Sequence, residues 1–527
     1  MKQILYTKEA REKVSAGINK VADAVKLTLG PAGGNAILEN QFGLVISNDG
    51  FTIAKDIELE DKFENLGVKL IRQVAERSDR QAKGGRTTAV TIAQELIKEG
   101  KKYIEAGMNP IKIRLGMEIA CKEAIEKIKR SAKKISTNEE ITQVATISSE
   151  SRETGELVAK VLKKIGKDGV VNVEGDSTET SFELVDGFKF DKGYISPYFV
   201  NNEHQEAVLN DCLVLLSDKK ISNGKEAVEF IEKILQSGEK NILIIAEDLT
   251  DQALATFVVN KMQGVVNVVA VRSPEWGDWK KKVLQDIACL TGTKVLTDDN
   301  AIKMGDIPIE DLGRLKKVVV TKDSTTLIGG KGDVESRITT LKYELFKEKD
   351  VVEAERLEQR IGKLGAGVAI IHVGAPTEAE VIYKKQKTED GVNDARSALE
   401  EGVVCGGGVA LAKLKLTGKN KDKDIQAGYD VVRDSLSVQL RQIVTNTGQS
   451  PDVVLSEVQK GEGNFGYDAR NNCFVEDMIK TGIIDSVKTT RLALENAVST
   501  ASIALTVVCS IADVGEKQLI DSNGKRI

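Results

Sequence analysis

Apolar residues recur at three- and four-residue intervals through 8–28 and 64–131, the spacing of one buried helix face. In "QAKGGRTTAVTIAQELIKEG" (81–100) the period continues through Ala89, Val90, Ile92, Ala93, Leu96 and Ile97, predicting an amphipathic helix behind two glycines. From 165 to 220 the period drops to two, and "GKDGVVNVEG", "SFELVDGFKFDKGYISPYFV" and "AVLNDCLVLLS" alternate as strands do. Between 225 and 330, helical runs alternate with short β-branched runs ("KNILIIAED", "VVNVVAVRS", "LKKVVVTKD"), the rhythm of a compact α/β domain. A charged helical stretch (333–364) and the strand "LGAGVAIIHVGA" close this middle section. After Glu378 the pattern is helical again, and "EKQLIDSNGKRI" reads as a polar, frayed end. The outer thirds match each other in type and differ from the middle. The pattern predicts an α+β multidomain protein in which both chain ends fold together around an inserted central domain.

A chain of 527 residues is too long for one core, so two or three domains are expected. With 41% hydrophobic and 29% charged residues it is neither disordered nor fibrous. The 75 basic and 80 acidic residues leave a net charge of −5, with no basic excess for nucleic acid and no cationic cluster for a membrane surface. The charged N-terminus lacks an apolar leader core, and no 18-residue apolar run predicts a membrane span. Six scattered cysteines without a C-x-x-C pair read as reduced, mostly buried thiols in a cytosol-like compartment. His204 and His372 are too far apart in sequence to suggest a His-based triad or metal site.

Three glycine turns mark the helical parts: "TLGPAGG" (28–34), the Lys83–Thr88 stretch, and "GVVCGGGVALAKL" (402–414). Free N–H groups and the dipole at a helix start favour an anion, so these turns are candidate phosphate cradles. No Asp or Glu lies between Asp79 and Glu95 to hold a metal ion there. Asn-Asp-Gly in "VISNDGFTIAK" reads as a hairpin turn, which gives Asp49 a structural role. None of the turns matches G-x-x-x-x-G-K-[ST] or G-x-G-x-x-G, and each alone reads as a chain reversal.

The segments "KLTLGPAGGNAILENQFG", "NDGFTIAKDIELEDKFENLGVKLI", "AGMNP", "DKGYISPYF", "IIAEDLTDQALATFVVN", "LQDIACLTG" and "EEGVVCGGGVAL" resemble, in order, the bacterial-type (group I) chaperonins, the 60-kDa ring chaperones. The resemblance runs from about residue 3 to 515. It implies a mainly helical equatorial ATP-binding domain at 1–131 and 401–527, a small intermediate hinge domain at 132–185 and 369–400, and an inserted α/β apical domain at 186–368. Gly187 and Gly367 match hinge glycines.

By matched position, the resemblance places Thr28, Leu29, Gly30 and Pro31 on the phosphates, with Asn48, Asp49 and Gly50 nearby. Gly84, Gly85, Arg86, Thr87 and Thr88 match a second phosphate loop and Gly407 a third glycine turn. Asp390 matches the carboxylate that orients the attacking water, with Asp49 as its catalytic companion. Asp485 matches the ribose-binding acid, and Asp468 lies in the base pocket. ATP is the implied cofactor, with Mg²⁺ and K⁺ as candidate ions. Here the sequence departs: the family has Gly-Asp-Gly-Thr-Thr-Thr in the second loop, and Gly84 replaces the metal-binding Asp. Loss of that acid predicts several kcal/mol less transition-state stabilisation, each ~1.4 kcal/mol being tenfold in rate, with Arg86 as a partial substitute on the phosphates.

In "NGKEAVEFIEKILQSG" and "DQALATFVVNKMQG" the apolar positions spread over roughly 160° and 200° of the helix, wider than the ~100° one buried contact needs. Ordinary core is the plain reading of both. The resemblance instead assigns Tyr194, Tyr198, Phe199, Val228, Ile231, Leu254, Val258, Val259 and Asn260 to a groove for non-native polypeptides and a co-chaperonin's mobile loop. The implied function is an ATP-dependent folding cage of seven or fourteen identical subunits, working with a 10-kDa-type lid co-chaperonin in the cytoplasm or an organelle's interior. The alternatives are a hydrolysis-impaired paralogue acting as holdase or modifying subunit, and a metabolic enzyme using the glycine turns for a phosphorylated substrate.

Overall fold

The computed structural model describes residues 2–40, 43–166, 169–177, 179–202, 205–297, 303–348 and 350–513. His204 and the polar tail beyond Asp513 lie outside the described residues. The mixed α+β chain packs as two compact units, Met1–Lys160 with Ile382–Ile527, and Val161–Val381.

The first unit is helical, as the three- to four-residue period predicts. Helices Thr7–Lys26, Lys62–Ala82, Arg86–Glu105, Pro110–Arg130, Lys423–Ser435 and Val487–Leu505 turn their apolar stripes onto one core that includes Ile18, Ile71, Ile92, Leu96, Met117 and Leu494. Glycine sets the closest approach in this core. A Cβ on Gly116 would lie 1.9 Å from the Ile425 carbonyl oxygen, and one on Gly428 would lie 1.9 Å from that of Ile113. The Pro110–Arg130 and Lys423–Ser435 helices therefore touch backbone to backbone, and any side chain at either glycine would push them apart. The two chain ends meet in an antiparallel pair, Lys2–Tyr6 with Cys509–Asp513. No described helix is long and apolar enough to cross a membrane.

The second unit carries a seven-stranded sheet in the order Asn267–Arg272, Asn241–Ala246, Ala207–Ser217, Gly313–Val320, Thr325–Gly330 and Gly187–Phe190, with Val295–Leu296 pairing Ala207–Ser217. Its first three strands run parallel and are buried, which is why "NILIIA" reads as a continuous apolar run. A smaller sheet centres Val368–Gly374 between Val170–Ser177 and Ser181–Val185. Behind the large sheet, the fully buried Asp286 carboxylate receives Arg337 Nε at 2.8 Å and Arg360 Nε at 2.7 Å.

Two sequence expectations need correction. Asn-Asp-Gly is not a hairpin turn: Asp49 is the N-cap of helix Gly50–Asp56, and its carboxylate accepts the Thr52 N–H at 2.8 Å. Asp favours both turns and caps because its short side chain satisfies nearby backbone donors, and the apolar run that follows decides for the helix. The antiparallel pair lies just upstream, Ala36–Asn40 with Gly43–Ser47. Of the cysteines, only Cys121 and Cys212 are buried, while Cys473 and Cys509 are exposed.

Candidate functional site

The second glycine loop forms where two helices of the first unit meet end to start. Helix Lys62–Ala82 stops at Lys83, whose left-handed backbone (φ 54°) turns the chain, and Gly85 (φ 69°) starts helix Arg86–Glu105. No side chain caps this second helix. Its first intrahelical bond runs from the Ala89 N–H to the Gly85 carbonyl at 2.9 Å, so the N–H groups of Arg86, Thr87 and Thr88 are left without helical partners. The dipole adds partial positive charge at the same end. Gly50 meets this start: a Cβ there would lie 2.5 Å from Thr87 Oγ1.

Arg86 lies at the centre of the loop. Its Nε reaches Asp49 Oδ1 at 2.7 Å, its Nη1 reaches Asp79 Oδ1 at 2.8 Å, and its Nη2 reaches Asp390 Oδ1 at 2.6 Å. The guanidinium side chain is 14% exposed. Asp49 comes from the cap of Gly50–Asp56, Asp79 from the last turn of Lys62–Ala82, and Asp390 from the middle of helix Glu378–Glu401. Burial pushes the Asp390 carboxyl up to about 6, against the pull of the Arg86 charge. Burial acts against the Arg86 charge too, but the three carboxylates outweigh it and hold the guanidinium well above its usual range.

One turn past Asp390, Asp394 accepts Ser148 Oγ at 2.6 Å and Thr489 Oγ1 at 2.9 Å, and burial raises its pKa. Asp485 sits in the short strand Ile484–Ser486, paired with Val403–Cys405 at the third glycine turn. A Cβ on Gly406 would lie 3.1 Å from Asp485 Oδ1, and the Gly407 N–H bonds to the same carboxyl. Burial pushes Asp485 up to about 7.

The first turn, Thr28 to Pro31, is held by helix Val438–Asn446. Asn446 Nδ2 donates to the Lys26 and Leu29 carbonyls at 3.0 and 2.8 Å, and Gly30 (φ 83°) packs on the Ile443 side chain. The same helix receives Gly408, 2.6 Å from Leu440 N at its Cβ position. Asn48 is half-buried just before the Asp49 cap. Asp468 stands apart: its carboxylate accepts the Arg470 and Asn471 N–H groups of its own turn at 2.8 and 3.2 Å.

Sequence reasoning missed Asp79, Asp394, Thr489 and Asn446. Asp394 carried a signal, being four residues from Asp390 and thus on the same helix face. The others lack one, because only the tertiary fold brings them in.

A divalent ion does not fit these acids as they stand. Asp49, Asp79 and Asp390 converge on one point, and the Arg86 guanidinium fills it. Among the described residues no group of three or more His, Cys, Asp and Glu side chains is arranged to hold a metal ion.

In the second unit, helices Gly224–Gln236 and Asp251–Met262 pack side by side, and the residues matched to a groove divide by burial. Tyr198, Val228 and Val259 are exposed at 64%, 42% and 49%, next to Met262 at 69%. Tyr194, Leu254 and Val258 are half-buried against the core. Phe199 and Ile231 belong to the core itself, at 0% and 3% exposure. The Phe199 ring turns inward from the Pro197–Phe199 turn, while Lys261 bonds the Phe199 carbonyl and lies over its ring. Asn260 donates to the Thr256 carbonyl of its own helix at 2.9 Å.

A sequence model of the TCP-1/cpn60 chaperonin family matches residues 21–513. In three dimensions the chain is similar to the chaperonin gp146 from bacteriophage EL 2 (Pseudomonas aeruginosa), whose crystal structure was determined in the presence of ATP-BeFx. The TM-score is 0.66 at 21% identity, covering 98% of this chain and 99% of that one, a likeness of fold.

Proposed function

We infer the function from one premise: the chain belongs to the TCP-1/cpn60 chaperonin family. We propose a bacterial-type chaperonin that takes ATP in its helical unit and binds non-native polypeptides on the exposed apolar faces of Gly224–Gln236 and Asp251–Met262. Residues 1–131 and 401–527 act as the equatorial domain, 132–185 and 369–400 as the intermediate domain, and 186–368 as the apical domain. The subunits assemble as a ring of seven, single or doubled, and a 10-kDa-type lid encloses the bound chain in a cytoplasmic or organellar setting.

One observation carries this reading: the uncapped helix start at Arg86, Thr87 and Thr88 lies beside the Asp49 and Asp390 carboxylates. Phosphate oxygens would accept those N–H groups, and Asp390, largely ionised at neutral pH, would orient a water for attack. Its Oδ1 is held by Arg86, so Asp390 reaches a water only after that ion pair opens. This favours slow turnover and supports a second reading, an ATP-binding holdase or modifying subunit.

Calorimetric titration with ATP, together with capture of a denatured polypeptide with and without ATP, tests the proposal. Binding that releases the polypeptide supports it; no ATP binding and constant capture refute it. Steady-state phosphate release separates a folding cage from a holdase.

A further inference from the structure

Three carboxylates from separate parts of the chain each give one oxygen to a different nitrogen of a single guanidinium, at 2.6 to 2.8 Å. Acids that converge in this way otherwise gather a divalent cation, because their mutual repulsion needs positive charge at the centre. Here the chain supplies that charge itself, and a guanidinium never loses it. We propose that Arg86 is the resident cation of the phosphate site, replacing a divalent ion, so that a nucleoside triphosphate is bound as the metal-free polyanion.

The phosphate half of this proposal rests on the nucleotide reading above, while the cation half stands on the Arg86 geometry alone. A guanidinium has five N–H donors, of which the hydrogen bonds to Asp79 and Asp390 use one on Nη1 and one on Nη2, while Asp49 pairs with Nε. A second N–H on Nη1 and on Nη2 remains for phosphate oxygens, beside the free backbone N–H groups of the helix start. Gly84 adds no carboxylate to the loop. The acid beside Gly84, Asp394, is already engaged by Ser148 and Thr489.

The test uses the full-length protein. ATP affinity is measured calorimetrically in excess EDTA and in excess Mg²⁺, and Mn²⁺ binding is followed by electron paramagnetic resonance in the wild type and in Arg86→Gln. The expected wild-type affinities agree within about threefold, and a Mn²⁺ site appears only in the variant. Wild-type ATP binding that requires Mg²⁺ overturns the proposal even if the variant does not fold. If ATP binds under neither condition, the nucleotide reading fails with the phosphate half, and the variant decides the rest: a new Mn²⁺ site supports the resident cation, and its absence overturns it.

Discussion

Gly84 and Asp394 are in contact: a Cβ built on Gly84 would lie 2.8 Å from Asp394 Oδ1 and 3.3 Å from Thr489 Cγ2. Gly84 is thus packed against an acid. Gly84→Asp is expected to destabilise the chain and not to create a metal site, since a second carboxylate would be forced onto Asp394. Gly84→Ala should cost about 1–3 kcal/mol through the same crowding. Urea unfolding of both variants checks this; a Gly84→Asp protein as stable as wild type would contradict the packing.

Asp485 makes a pH prediction with a definite sign. Its folded pKa of about 7 stands above the ordinary 3.8, so the folded chain holds this proton where the unfolded chain has lost it. The group therefore favours the fold at low pH, and that contribution is lost as pH rises from about 4 through 7. Asp485→Asn removes the titration. Wild-type stability minus variant stability, from denaturant unfolding across pH, should fall between those limits and stay flat above them. A difference that rises with pH would reverse the sign.

Asn446 is expected to act on the first turn from a distance. Asn446→Ala removes two hydrogen bonds, to the Lys26 and Leu29 carbonyls, worth about 1 kcal/mol each. ATP affinity should fall with stability, whereas Thr445→Ala, at an exposed residue whose side chain bonds only the Arg441 carbonyl of the same helix, should leave affinity unchanged.

Residues matched to one groove should separate in experiment by burial. Val259→Ser, at a half-exposed position, should leave stability within about 0.5 kcal/mol but weaken capture of denatured polypeptide. Phe199→Ala empties a fully buried site and should cost about 3–5 kcal/mol. Thermal unfolding beside a capture assay resolves the two; equal losses of stability would refute the assignment.

The helical ends and the α/β middle were legible because burial imposes periods of 3.6 and 2 on any chain that packs this way. The glycine turns were legible as turns, whereas Asp49 was read as a hairpin residue and is a helix cap. Of the Arg86 cluster, the resemblance set Asp49, Arg86 and Asp390 round one phosphate site, but Asp79 and the pairing of Arg86 with the acids were not legible, since no local pattern couples residues as far apart as the 304 positions between Arg86 and Asp390. The burial of Phe199 was hidden for a related reason: its neighbour Tyr198 is the exposed one, and a short turn has no period to say which ring faces in.

The pairing of Lys2–Tyr6 with Cys509–Asp513 has a consequence for biosynthesis. The Lys2–Tyr6 strand is synthesised long before Cys509–Asp513, and its hydrogen-bonding edge stays open for that time. The contiguous stretch 161–381 faces no such delay and can condense while the rest is still being translated. Closure of the helical unit is therefore a late event, and the growing chain is itself exposed to aggregation until the Cys509–Asp513 strand docks.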